Sequence, residues 1–280
     1  MEGEMLTLLP EELETRVLHG YLLGAVGPRP IAFASTLDAE GVPNLAPFSF
    51  FNVFSANPPV MIFSPARRVR DNTTKHTLEN VRQLPEVVIN VVTYGMVQQM
   101  SLASTEYGPG VNEFEKAGFT MLPSEAVRPF RVGESPVQFE CRVTKVEALG
   151  RQGGAGNLIF SEVVRLHVHP EVLSGEGRLD PRKLDLVARM GGNWYSRAAE
   201  GLFEVPKPLS SLGMGVDAIP ESIRSSPVLT GNDLGMLGNF EKLPSEEEVA
   251  AFKATSAEVQ EALRSGDPLQ LHRQARAFLM

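Results

Sequence analysis

Two long runs of alternating apolar residues constrain this chain more than any other feature in it. Val137 to Leu149 and Leu158 to His169 both carry strand-like spacing, and Arg151-Gln-Gly-Gly-Ala-Gly156 lies between them. A period of two puts successive side chains on opposite faces of a strand, so two such runs joined by a short glycine-bearing link predict an antiparallel hairpin. The glycine run invites comparison with a dinucleotide-binding loop. Such a loop follows a strand and opens a helix, whereas Leu158-Ile-Phe-Ser-Glu-Val-Val164 is another strand, so the run is read as a plain turn.

Shorter segments extend the pattern. Ile31 to Thr36 and Val42 to Phe48 flank Asp38-Ala-Glu-Gly41 as a second hairpin, and Val60 to Phe63 and Val87 to Thr93 are compact, β-branched runs suited to strands buried on both faces. Between them, Thr74 to Leu84 places Leu78, Val81 and Leu84 on one side of a helix, and Val111 to Ala117 does the same with Phe114. The expectation is an all-β core with peripheral helices, α+β overall.

After Phe203 the character changes. Glu204 to Leu243 is rich in Pro, Gly and Ser, including Gly231-Asn-Asp-Leu-Gly235, and reads as a loop-rich arm with at most a short helix near Pro220 to Arg224. Ser245 is positioned to cap a helix running through Val249, Phe252, Val259 and Leu263 to near Gly266, and Pro268 to Met280 reads as one further short helix. The expected organisation is a domain over residues 20–203 and a C-terminal extension over 204–280.

Charge and residue usage exclude several classes of function. A formal net charge of −8 argues against a nucleic-acid partner, which needs a basic surface to displace counterions. The single cysteine, Cys141, allows no internal disulfide and falls in the alternating run Val137-Phe139-Cys141-Val143 as a buried small hydrophobe. Met1 to Arg16 holds five glutamates and no basic residue before Arg16, unlike a targeting peptide, and no apolar stretch approaches the ~20 residues that span a bilayer, so a cytoplasmic protein without membrane partners is expected. No metal site is expected: His19, His76 and His272 are far apart, and His167 and His169 alternate along one strand, read as a solvated face. Glu113 and Glu134 are read as structural or subunit-contact residues, and Trp194 and Tyr195 as packed against a neighbouring element.

Two segments carry chemistry. Arg67-Arg-Val-Arg-Asp-Asn-Thr-Thr-Lys-His-Thr77 gathers cations and hydroxyls just before and within the first turn of the predicted helix, which suits either a bound phosphate or an exposed basic loop. Asn44-Leu-Ala-Pro-Phe-Ser-Phe-Phe-Asn52 crowds aromatic and polar residues at a strand end, as the edge of a flat ligand requires, although its spacing alone reads as a core segment with an ordinary turn.

Together with Gly27-Pro-Arg-Pro-Ile-Ala-Phe-Ala-Ser-Thr36, Asn57-Pro-Pro59, Lys75-His-Thr77, Asn112-Glu-Phe-Glu-Lys-Ala-Gly118, Glu134-Ser-Pro136 and Arg189-Met-Gly-Gly192 with Tyr195, these segments resemble the flavin reductase-like, FMN-binding split-barrel family, which includes flavoredoxin-like proteins and the reductase components of flavin monooxygenases. The resemblance covers roughly residues 20–203. It implies a six-stranded antiparallel Greek-key barrel, a homodimer, and FMN at or near the subunit interface. It also implies hydride transfer from NAD(P)H, NADPH or NADH, to FMN, with FAD as a further flavin substrate and a monooxygenase as a possible recipient of the product. The alternatives it allows are a flavoprotein electron carrier, a ferric-chelate reductase, or a non-enzymatic flavin-binding module. On this reading Arg67, Lys75 and Thr77, with Ser35 and Thr36 nearby, hold the FMN phosphate, while Pro47, Phe48, Ser49, Phe50 and Asn52 wrap the ring edge. Many relatives have a motif similar to Lys-Asp-Thr where this chain has Lys75-His76-Thr77, so no role passes to His76. No catalytic side chain is implied, because the flavin holds the redox chemistry.

Overall fold

The computed structural model describes residues 4–205 and 212–279; residues 206–211 of the predicted arm, and Met280 at its end, lie outside the described residues. The chain divides into two compact units, Met1–Leu202 and Phe203–Met280.

The first unit opens with helix α1 (Thr15–Ala25), then strands β1 (Ala32–Leu37), β2 (Pro43–Phe48), β3 (Phe51–Ala56) and β4 (Pro59–Phe63). Helix α2 (His76–Gln83) and β5 (Glu86–Asn90) follow, with two short helices, α3 (Val97–Leu102) and α4 (Glu113–Ala117). A two-stranded ladder pairs β6 (Met121–Leu122) with β7 (Arg131–Val132). The predicted long hairpin is β8 (Val137–Ala148) and β9 (Asn157–Val168). Helix α5 (Pro181–Leu184) then leads to a small hairpin of β10 (Val187–Arg189) and β11 (Tyr195–Arg197).

The main sheet has seven strands rather than six, ordered β2-β1-β5-β8-β9-β4-β3 and antiparallel throughout. The additional strand is β3, of which Phe51 and Asn52 belong to the segment read from sequence as the edge of a flat ligand; it pairs with β4 through Asn52 opposite Ile62. The order also dictates curvature. β2 and β3 lie at opposite ends of the sheet yet are joined only by Ser49 and Phe50. A flat sheet would hold its outer strands roughly 29 Å apart at ~4.8 Å per spacing, and so short a link spans at most about 10 Å. The sheet must therefore curl until its edges approach, giving a barrel open between β2 and β3.

Both faces of the central strands are buried. Phe33 joins Leu45, Met96, Met100 and Phe114 in one cluster, while Ala32 and Ala34 join Phe48, Phe63, Cys141 and Ile159 in another, to which α2 contributes Leu78 and Val81. Cys141 is fully buried, as its place in the run requires, and burial pushes its thiol far above the ordinary range. Among the described residues, no helix is long and apolar enough to cross a membrane.

Two local expectations need correction. His167 is not on a solvated face: its Nε2 lies 2.6 Å from Oε1 of the fully buried Glu140, which also accepts the backbone N–H groups of Glu125, Ala126 and Val127. Burial pushes the Glu140 carboxyl up, but these four partners outweigh it and hold the pKa below its usual value. Trp194 is exposed rather than packed, whereas Tyr195 does pack against the first cluster. Helix α1 has no legible sequence signal, because its apolar residues Val17, Tyr21 and Leu22 are exposed and it buries no residue.

In the second unit, the glycine-rich segment expected to be loop holds helix α7 (Gly231–Gly238), after a short α6 (Glu221–Arg224). A capping box decides this: Thr230 Oγ1 accepts the N–H of Asp233, and Asp233 accepts the N–H of Thr230 in return. The single helix expected after Ser245 is two, α8 (Glu246–Thr255) and α9 (Ala257–Arg264). They part at Ser256, whose hydroxyl caps the second by accepting the N–H of Val259. The terminal helix is α10 (Pro268–Leu279).

Candidate functional site

The start of α2 builds the first part of the site. Lys75 is its extended N-cap residue and offers no capping side chain, so first-turn N–H groups are left without a side-chain acceptor. Asn44 and Ala46 of the edge strand β2, Arg68, Lys75, Thr77 and Glu106 line a hollow of about 40 Å³ in front of it. That volume suits a phosphate group.

Charge in the hollow is organised around one carboxylate. Glu106 accepts from Arg68 Nε at 2.8 Å and Lys75 Nζ at 3.2 Å, and also pairs with Arg70. Arg68 first and Lys75 second hold its carboxyl down at about 2, against a burial cost that acts the other way. Arg68 is fixed further by donating to Thr73 Oγ1 at 2.8 Å and to the Thr74 carbonyl. Two pre-positioned cations and an uncapped helix start form the donor set expected for a phosphate monoester, so the residues present fit that group.

Thr77 stands at the floor, almost fully buried, with its hydroxyl accepting from Asn44 Nδ2 at 2.9 Å. The same Asn44 amide approaches Thr36 Oγ1 at 3.3 Å, and Asn80 Nδ2 donates to Thr36 Oγ1 at 3.0 Å. This network ties β1, β2 and α2 together. Glu113, read from sequence as a structural or contact residue, also lines the hollow while its Oε2 accepts the Leu45 N–H at 3.0 Å. Burial raises its pKa, outweighing that hydrogen bond.

The glycine turn has a task at this site. The Arg67 N–H donates to the Ala155 carbonyl at 2.8 Å and the Gly154 N–H to the Arg67 carbonyl at 2.9 Å, so the turn lies directly on the basic loop. A Cβ at Gly153 would stand 2.9 Å from the Arg68 carbonyl oxygen and 3.0 Å from that of Val69. Only glycine lets the two backbones approach this closely. Asn157 completes the brace, its Nδ2 donating to the Pro65 carbonyl at 2.9 Å.

The sequence-predicted residues are thus only partly brought together. Lys75 and Thr77 line the hollow; Arg67 does not, because its guanidinium turns onto Asn72, 2.6 Å from Oδ1, and its neighbour Arg68 takes the inward position. Ser35 and Thr36 point to opposite faces of β1, as adjacent strand residues must. Thr36 stands behind Thr77 in the Asn44 network, and Ser35 Oγ is buried with no hydrogen-bond partner among the described residues. Phe48 is core, its ring 5.4 Å from that of Phe63. Pro47, Ser49, Phe50 and Asn52 remain at least partly accessible along the open edge of the barrel, with Asn52 Oδ1 accepting the Val53 N–H. Glu134 accepts the N–H and hydroxyl of Thr120, which is a loop-bracing role.

Sequence reasoning did not single out Arg29, although it lies in the quoted Gly27-Pro-Arg-Pro30 segment. It is nearly buried and donates to the carbonyls of Leu23, Val26 and Met190, with Nε 3.5 Å from Ser49 Oγ. One guanidinium therefore links the end of α1, the β10–β11 hairpin and the link between β2 and β3. Its five donors in a fixed fork make arginine suited to such a junction.

The chain is similar to known proteins. The profile of the family described as flavin reductase like domain matches residues 25–183. An uncharacterised protein of Aquifex aeolicus is 37% identical over 188 residues, 67% of this chain and 93% of the relative. Among solved structures, nitrilotriacetate monooxygenase component B from Bacillus cereus is similar with a TM-score of 0.68 and 29% identity, covering 73% of this chain and 100% of that one. A 2-nitrobenzoate 2-nitroreductase from Pseudomonas fluorescens is similar with a TM-score of 0.63 and 27% identity, covering 74% and 100%.

Proposed function

This chain belongs to the flavin reductase like domain family, and on that premise we propose that it is a flavin reductase that binds FMN and accepts electrons from NADH or NADPH. The observation that carries the proposal is the hollow at the start of α2, where Arg68, Lys75 and Thr77 meet at one wall of the open barrel edge. When bound, FMN supplies the hydride acceptor, and the protein needs no nucleophile of its own.

What the chain's residues supply is binding and orientation. Arg68 and Lys75 take the phosphate charge, and Thr77, with its hydroxyl already oriented by Asn44, fixes the depth at which the phosphate rests. Ser49 and Phe50, at the split of the barrel, border the ring, and Arg29 holds Ser49 in place from behind. Pre-fixing these groups reduces the entropy lost when two flat rings are brought face to face.

A second copy of the chain completes the site in this proposal. Val17, Tyr21 and Leu22 on α1, Val26 just after it, and Val53 and Phe54 on β3 are exposed apolar residues, and the edge-to-face contact of His19 with Phe50, with centroids 6.1 Å apart, sets α1 beside the link that leads into β3. An exposed apolar surface beside an open sheet edge is a surface for association. The similarity to a monooxygenase component favours a monooxygenase as the consumer of reduced flavin.

Absorbance of the protein with equimolar FMN, before and after anaerobic NADPH and then NADH, tests the proposal. A perturbed flavin band bleached by either nucleotide is expected. A band unaffected by the protein, and no bleaching, would refute it.

A further inference from the structure

A second hollow lies beside the first. It has a volume of about 540 Å³ and is walled by the Tyr94–Ser104 segment on one side and the β10–β11 hairpin on the other. Ser104 lines both hollows, so they adjoin. The size is within the range of about 300–1,000 Å³ typical of small-molecule sites, and it is large enough for a nucleotide.

Its chemistry is unusual for this chain. The protein carries a formal charge of −8, yet the lining contains Arg189 and Arg197 with hydroxyls and amides from Ser101, Ser104, Gln98 and Asn193, and no carboxylate. The two arginines differ. Arg197 is neutralised by Asp185 at 2.8 Å and by Glu200 at 2.7 Å, and its planar group lies 4.0 Å from the Tyr94 ring centroid. Arg189 lies 4.6 Å from the Tyr195 ring centroid and, among the described residues, has no carboxylate within ion-pair distance. Its charge also helps to lower the pKa of the buried Arg29, after the larger effect of burial. An arginine held flat on an aromatic ring keeps its edge donors free for a phosphate, and such faces also accept a purine by stacking.

We propose that this hollow binds the adenosine diphosphate portion of a dinucleotide, with Arg189 contacting its phosphate and Tyr94 or Tyr195 its base. The site rests on the reading of the adjoining first hollow as a flavin phosphate site. Two cosubstrates carry the same group, a nicotinamide dinucleotide and FAD, and the site serves the one whose affinity follows Arg189.

The test is titration of the full-length protein with ADP alone by calorimetry, for the wild type, Arg189→Met and Arg189→Lys, with a parallel titration of FMN. ADP binding that falls at least about tenfold in R189M, recovers in part in R189K, and leaves FMN affinity within about twofold is expected, since one charge-assisted hydrogen bond is worth about that much. A rise in KM for NADH or NADPH in R189M then assigns the site to the nicotinamide dinucleotide, and a fall in the FAD-to-FMN affinity ratio assigns it to FAD. No ADP binding by the wild type, equal binding by wild type and R189M, or an equal loss of ADP and FMN affinity would each overturn the proposal. ADP binding that depends on Arg189 in a protein that binds no FMN would sustain this site while removing the flavin reading.

Discussion

Glu106→Gln should make the protein bind FMN more tightly and leave riboflavin unchanged. In the structure the Glu106 carboxylate already accepts from Arg68 and Lys75, the same cations assigned to the FMN phosphate. A phosphate entering the hollow must share these donors with a like charge or displace it. Two unit charges 4 Å apart interact by about 1 kcal/mol in water and about 4 kcal/mol at an effective dielectric near 20. The Glu106 side chain is 34% exposed, so solvent screening places the repulsion toward the lower value. Removing about 1–2 kcal/mol of repulsion corresponds to a gain in affinity of roughly five- to thirtyfold. Glutamine keeps the side-chain length and one acceptor oxygen, so the Arg68 conformation is retained. The assay is quenching of flavin fluorescence with FMN and with riboflavin at low and high salt. Tighter FMN binding in the variant, diminishing with salt, with riboflavin constant, is expected. Weaker FMN binding in E106Q would refute the reasoning, because it would mean that Glu106 supports the cations rather than competing for them.

Lys75→Ala should weaken FMN by about 1–2 kcal/mol with little effect on riboflavin, measured by the same quenching titration. Gly153→Ala forces a Cβ to within 3.0 Å of two backbone carbonyls of the basic loop, so FMN affinity should drop and the midpoint of urea unfolding should fall, the latter by an amount equivalent to about 1–3 kcal/mol. For Glu113 the folded pKa is raised, so the folded state binds more protons than the unfolded state between the two pKa values and stability falls as pH rises through that interval. Glu113→Gln, which can still accept the Leu45 N–H, should remove that decline: denaturation curves at pH 4 and pH 8 should show the variant gaining on the wild type at the higher pH.

The fold was legible wherever burial made residue type periodic. Six of the seven main-sheet strands were visible because Phe33, Val87, Phe139 and Ile159 belong to runs in which side-chain class alternates or is uniformly apolar. β3 was not visible as a strand. Its residues Asn52, Val53 and Phe54 are all exposed, so neither face of it has a burial pattern to impose on the sequence. Helix α1 fails for the same reason, as it buries nothing in the single chain. Helix α7 was hidden for a different reason: three glycines argue against helix by propensity, and the reciprocal capping of Thr230 and Asp233, with Arg276 3.6 Å from the Asp233 carboxylate, overrides them through tertiary context.

At the site, motif residues divide into those that face the ligand and those that hold them there, and sequence spacing does not distinguish the two. Arg67 and Arg68 are adjacent and chemically identical, yet Asn72, in a left-handed conformation at φ 59°, captures the first and leaves the second to face Glu106. Ser35 and Thr36 are separated in the same way by strand alternation. The glycine run shows the reverse case. As a phosphate loop it fails for want of a following helix, and as a turn it looks inert, but its close approach to Arg68 and Val69 fixes the loop from which the cations reach. Gly153 is required by a backbone-to-backbone contact between segments more than eighty residues apart in the chain, and a contact of that kind leaves no local signature that spacing or periodicity can register.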